Sequence, residues 1–211
     1  IFGECTSLTT ITIPETIETI PEIAFSNCSA LTTVNLNDGL VTISKRAFNK
    51  CTSLTDLTLP STLVSIQNYA FENNTSLKSI DIPEKVTTIG TCAFNGCDNL
   101  ASVTLPNSIK TIQGCAFANC PKISTVTIPD SVTTIGSHAF GFTSKFVVGD
   151  ELLSATPVEN FTIVGTVDSE AQYYAEDNNL TFIDIASGEV PTPPVTPEKP
   201  SADNFTNGVY C

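Results

Sequence analysis

Positive charge is scarce in this sequence: 9 Lys and Arg stand against 22 Asp and Glu, a formal net charge of −13 over 211 residues. Such a chain repels phosphate backbones and anionic lipid headgroups, which argues against nucleic-acid and membrane-surface partners. No apolar run approaches the ~20 residues of a spanning helix, and no charged-then-apolar leader opens the chain. The sequence lacks a phosphate-cradling Gly loop, a calcium loop, and the C-x-x-C grouping that makes a zinc site convincing. Histidine occurs once, at His138. A Ser-His-Asp or Cys-His arrangement would have to use it, and nothing in the sequence places a nucleophile or an orienting carboxylate beside it. The expectation is a protein without enzymatic activity, cofactor or metal in this stretch.

What the chain has in abundance is repetition. Ala-Phe stands at 24–25, 47–48, 70–71, 93–94, 116–117 and 139–140, always 23 residues apart. Rows of that length align Leu8, Leu31, Leu54, Leu77 and Leu100 with Ile123, and they place Ile at 20, 43, 66, 89, 112 and 135. Each row reads L-x-x-V-x-L-P-x-x-V-x-x-I-x-x-x-A-F-x-x-C, with Asn37 replacing the Pro of the second row. The V-x-L segment alternates as a half-buried strand does, and the Pro ends it because Pro donates nothing to a ladder. A single row cannot bury its apolar side. Rows stacked at ~4.8 Å bury a continuous core, with Ala where the chain passes close at a corner and Phe filling one slot in every rung.

The stretch ISTVTIPDSVTTIGSHAF, Ile123 to Phe140, resembles the repeat of the BspA-like leucine-rich repeat family. The resemblance covers roughly residues 1–143. It implies a mainly β, right-handed leucine-rich repeat solenoid of about six rungs, of the kind carried on the surfaces of anaerobic bacteria and parasitic protists and used for adhesion or protein binding. Beyond the last row, FTIVGTVDSEAQYYAEDNNLTFIDI reads strand, helix, strand. It is similar to the closing segment of bacterial members, and residues 144–185 are assigned to a C-terminal cap. Ser169 and Gln172 have the spacing of a capping box, and Tyr173, Tyr174 and Leu180 are candidates to cover the open end of the stack. Residues 186–203 are Pro-rich and aperiodic, the composition of an extended linker, and 204–211 would begin a following segment. Because Ile1-Phe2 falls in phase with Ala-Phe, the sequence is expected to be part of a longer one.

Cys5, Cys28, Cys51, Cys97 and Cys120 share one column, in which Asn74 takes the fourth place. Cys and Asn can both sit inside a turn and engage backbone groups, so a ladder of buried thiols is expected. Cys92 and Cys115 stack in a second column with Ile23, Arg46, Tyr69 and His138. That variability suggests partial exposure, and a Cys92–Cys115 bridge is the disulfide the spacing favours. Cys211 stands alone at the end of the sequence.

The outward positions of the strands carry small polar side chains: Thr10 and Thr12, Thr33 and Asn35, Asp56 and Thr58, Ser79 and Asp81, Ser102 and Thr104, Thr125 and Thr127. Two readings stay open for this face. One is plain solubilisation, since Thr suits strands in any case; the other is a recognition surface for an extracellular protein or glycan, which solenoids commonly provide. Asn35, Asp56 and Asp81 interrupt the Thr array and argue against an ice-binding lattice. Three roles compete: a cell-surface or secreted interaction module acting as a monomer, a structural spacer that assembles end to end, and an accessory domain of a larger secreted enzyme. Asn27, Asn73, Asn74, Asn160, Asn179 and Asn204 precede x-Ser/Thr, which matters only in a glycosylating host.

Overall fold

The computed structural model describes residues 2–146 and 152–189. The first rung holds β1 (Thr10–Thr12) and β2 (Thr19–Ile20), the second β3 (Thr33–Asn35) and β4 (Thr42–Ile43), and the third β5 (Ser65–Ile66). The fourth holds β6 (Ser79–Asp81) and β7 (Thr88–Ile89), the fifth β8 (Ser102–Thr104) and β9 (Thr111–Ile112), and the sixth β10 (Thr125–Thr127) and β11 (Thr134–Ile135). Then follow β12 (Phe142–Phe146), β13 (Leu152–Pro157), β14 (Thr162–Gly165), the helix α1 (Glu170–Asp177) and β15 (Thr181–Asp184). This is a parallel solenoid whose register equals the sequence period: Thr10 pairs with Thr33, Thr19 with Thr42, and Ser79 with Ser102.

The rungs form two ladders. The second strands of the rungs make one six-stranded sheet in the order β11-β9-β7-β5-β4-β2. The first strands do not make an unbroken sheet; they pair as β1-β3, β6-β8 and β10-β14-β15. Residues 56–58 of the third rung, which carry the same alternation as their neighbours, are not hydrogen-bonded as a strand. Parallel pairs three residues long hold few hydrogen bonds, so a small separation of two rungs removes the pairing while leaving the core closed.

The Ala-Phe corner has its own hydrogen-bond system. Ile23, Phe25 and Asn27 donate their N–H groups to the carbonyls of Lys45, Ala47 and Asn49 on the next rung, at 3.2, 2.8 and 2.8 Å. The intervening Ala24, Ser26 and Cys28 donate back within their own rung, to Pro21, Ile23 and Phe25. This alternation requires left-handed backbone at two positions per rung. Ile23, Arg46, Tyr69, Cys92, Cys115 and His138 occupy the first, with φ between 52 and 60°. Asn27, Lys50, Asn73, Gly96 and Asn119 occupy the second, where Asn and Gly are the residues that tolerate it. Ala between them is fully buried from the second rung onward. Phe2, Phe25, Phe48, Phe71, Phe94, Phe117 and Phe140 stack in one column with ring centroids 4.8–5.6 Å apart and interplanar angles of 2–11°.

The end of the stack is closed by the strand-helix-strand segment. β14 pairs in parallel with β10, and β15 with β14, so the cap adds two rungs to the first ladder. The Tyr174 hydroxyl bridges both polar groups of Phe140, accepting from its N–H at 2.9 Å and donating to its carbonyl at 2.8 Å. Burial pushes the Tyr174 phenol well above its usual titration range. Leu180 packs against the core, Tyr173 is half-buried, and Glu170 accepts the edge N–H of Ile135. The capping box differs from the expectation. Ser169 is the N-cap but makes no side-chain cap bond, and Gln172 accepts from the Asp168 N–H instead, one residue earlier. β12 and β13, which fall largely within the residues expected to form the cap, pair antiparallel, an arrangement for which the repeat register gave no sign. Of the expected linker only 186–189 is described; 190–203, the segment 204–211 and Cys211 lie outside the described residues.

Candidate interaction surface

The Cys column forms a backbone clasp. Cys28, Cys51, Cys97 and Cys120 each donate the thiol to a Phe carbonyl of the preceding rung, at 3.1 to 3.4 Å. Asn74 does the same with its amide, to Phe48 at 2.8 Å and to Phe71 at 2.7 Å, which accounts for its exchange with Cys. Burial pushes the Cys51 thiol up to about 12 and the Cys97 thiol well above its usual range, so neither forms thiolate at neutral pH. Cys92 and Cys115 depart from the expected partial exposure. They are buried, packing with Ala118 and Tyr69 in a small cluster of their own, and no disulfide joins them in this structure. Among the described residues no group of three His, Cys, Asp or Glu side chains gathers as metal ligands. No helix among them is long and apolar enough to cross a membrane.

His138 has a neighbour that its sequence context did not suggest: the Ser137 hydroxyl lies 2.8 Å from Nδ1, and Phe142 meets the ring edge-on at 4.8 Å. Adjacent residues on an exposed corner satisfy each other locally, and this contact lies in neither of the clefts described next.

The first ladder carries the extended surface. All twelve outward positions, Thr10, Thr12, Thr33, Asn35, Asp56, Thr58, Ser79, Asp81, Ser102, Thr104, Thr125 and Thr127, are exposed. Their inward neighbours Val34, Ile80 and Val126 are buried, so the alternation of each strand turns the polar row outward. Along the face, Asn35 donates to the Thr12 hydroxyl at 3.1 Å, linking the first two rungs. Three rung-to-rung steps of this ladder lack strand pairing, and two of them open as clefts in the face. One, of about 460 Å³, lies between rungs two and three and is lined by Asn35, Asp38, Asp56 and Thr58. The other, of about 490 Å³, lies between rungs five and six and is lined by Thr104, Asn107, Thr127 and Asp130. In each, unpaired strand segments and hydroxyl, amide and carboxylate side chains face solvent together. Such a surface offers many hydrogen-bond acceptors and no aromatic anchor. The clefts were not legible in the sequence, because the strand segments that flank them keep the same alternation as the others.

The same repeat register appears in known proteins. The family model for the BspA type leucine-rich repeat region matches six copies, over residues 1–94 and 64–188. The chain belongs to this family. Among solved structures, the leucine-rich repeat protein TpLRR of T. pallidum is 32% identical, with a TM-score of 0.58 over 64% of this chain and 63% of that one. A leucine-rich repeat protein from Bacteroides ovatus is 26% identical, with a TM-score of 0.58 over 86% of this chain and 56% of that one. A leucine-rich cell surface protein from Faecalibacterium prausnitzii shares the fold at 21% identity and a TM-score of 0.57, over 84% of this chain and 57% of that one. The BspA-type chain thus spans about three-fifths of the length of the structures it matches. No curated protein matches it.

Proposed function

We propose that this BspA-type repeat region is a non-catalytic interaction module of a surface or secreted protein, binding an extracellular protein or glycan through the exposed face of its first ladder. The observation that carries the reading is the face itself, six rungs of outward polar side chains opened by two clefts, built on a core that gives those side chains fixed spacing. The cap favours this role over end-to-end assembly. The Tyr174 and Glu170 contacts occupy backbone groups at the C-terminal end to which another rung would have to bond. The Pro-rich sequence after the cap is the composition of a spacer that holds such a module away from its neighbours.

The test is capture of immobilised extracellular-matrix proteins and glycans by the wild-type chain and by a variant combining Thr33→Arg, Asp56→Arg and Ser79→Arg. Saturable capture that the variant loses, with its melting curve retained, is expected. Equal capture by both forms, or none by either, would overturn the assignment of this face.

A further inference from the structure

The second ladder holds a polar notch that the proposed face does not include. One sequence column runs Pro21, Ser44, Gln67, Gly90, Gln113 and Gly136. Gln67 and Gln113 each turn the side-chain carbonyl back to the preceding rung. Gln67 accepts from the Lys45 N–H at 3.1 Å, and Gln113 accepts from the Thr91 N–H at 2.9 Å. Between them, Gly90 has no carboxamide to offer. The equivalent N–H, that of Asn68, meets no acceptor among the described residues, while the Asn68 carbonyl accepts from the Arg46 N–H and the Asn68 side-chain oxygen shares the Thr91 N–H with Gln113. At this place lies a cavity of about 290 Å³, bordered by Gln67, Asn68, Gly90, Gln113, Thr88 and Lys45. Lys45 is the one charged residue of that lining, in a chain of net charge −13.

We propose that the Gly90 notch is a binding site for a carboxylate. One ligand oxygen takes the place that the Gln carbonyl holds in the flanking rungs and accepts from the Asn68 N–H. The other faces the Lys45 ammonium, whose present contact is an exposed Glu22 carboxylate at 3.9 Å, a pairing weak enough to be exchanged. With their carbonyl oxygens engaged, the amide nitrogens of Gln67 and Gln113 remain as donors at the rim, and the Thr88 hydroxyl adds another. Charge-assisted bonds of this kind are the stronger class of hydrogen bond. The carboxylate could come from an acidic sugar or from a peptide, and the notch recognises the group the two share. Because the notch lies on the second ladder, its failure leaves the first-ladder reading untouched.

The test is an amide NMR titration of the full chain at fixed ionic strength with glucuronate and with N-acetylglycine. Glucose and N-acetylglycinamide serve as uncharged controls. The Asn68 amide signal is expected to shift saturably with at least one acid and with neither control. In Lys45→Ala, whose exposed side chain leaves the fold intact, binding should be about tenfold weaker. Response to one acid alone identifies the source of the carboxylate, and response to both shows that the notch reads that group only; either supports the site. An Asn68 signal that moves with neither acid, an uncharged control that works as well as its acid, or a Lys45→Ala chain that binds like the wild type would overturn it. Replacement of Gly90 is avoided as a test, since a Cβ there would stand 2.6 Å from the Asn68 nitrogen.

Discussion

Phe94→Ala removes a fully buried ring from the middle of the stack, where it lies 5.2 Å from Phe71 and 5.1 Å from Phe117. Buried Phe-to-Ala substitutions cost about 3–5 kcal/mol, combining lost transfer energy with the cavity left behind. The rungs above and below are fixed by corner hydrogen bonds from Phe71 to Ala93 and from Phe94 to Ala116, both 2.8 Å, so the site cannot collapse and the upper part of that range applies. In a repeat protein the loss falls on two interfaces at once, because each rung is stabilised by its neighbours. For a chain of this size that corresponds to a drop in melting temperature of roughly 8–20 °C. Phe2→Ala is the internal control: Phe2 is 48% exposed and stacks on one side only, so its loss should cost about 1 kcal/mol. Chemical melts followed by circular dichroism give both numbers. If the two variants lost equal stability, the stack would not be the axis of the core and the corner assignment would be wrong.

The Glu72 carboxyl gives a pH-dependent prediction. It accepts from Asn49 at 2.7 Å and from Asn95 at 3.3 Å, yet burial raises its titration point above the usual carboxylate range despite these bonds and the nearby Arg46 and Lys50. A raised point means that the folded state favours the protonated form. That stabilisation is complete below the unfolded value near 4.5 and is lost as pH rises through the folded value. Glu72→Gln, which continues the Asn49–Asn95 amide ladder without charge, should therefore melt above wild type at pH 7, the gap narrowing towards pH 4. Equal gaps at both pH values would contradict this. Tyr174→Phe strands the buried N–H and carbonyl of Phe140 and should cost roughly 2–4 kcal/mol, measured by the same melts. Thiol labelling of a Cys211→Ser chain at pH 8 should modify Cys5 rapidly, while the six buried cysteines react only on unfolding. Asn74→Cys should stay within about 1 kcal/mol of wild type, because a thiol replaces the bond to Phe48 and the unpartnered, buried Asn74 Oδ1 is removed.

The rung, its strand positions and the Phe slot were legible because a fixed period acts on every side chain at once. Leu31, Ile43 and Phe48 recur with their environments, so one row's reading is tested by all the others. The Cys column was legible for the same reason, and Asn74 made its chemistry plain by substituting for it. What escaped the sequence depends on small differences between like rungs. The V-x-L segments of rungs two and three keep the consensus alternation, yet they stand apart at Asn35 and Asp56. Cys92 sits in a column of mixed residue types because its backbone, with φ at 52°, is what recurs there rather than its exposure. Gln67, Gly90 and Gln113 form an alternating column visible in the sequence, but the use of the Gln carbonyls to cap rung N–H groups emerges only from their geometry. The Ser169–Gln172 spacing predicted a capping box, but Ser169 makes no cap bond and the N–H that donates to Gln172 is shifted by one residue to Asp168, a distinction that the spacing alone does not carry.

The central functional claim is that a partner lies across the first ladder, and hydrogen–deuterium exchange of the captured complex tests it most directly. Slowed exchange at Thr33–Asn35, 56–58, Ser79–Asp81 and Ser102–Thr104, with the second ladder unchanged, is the result predicted. Protection confined to the capped end or to the second ladder would contradict it.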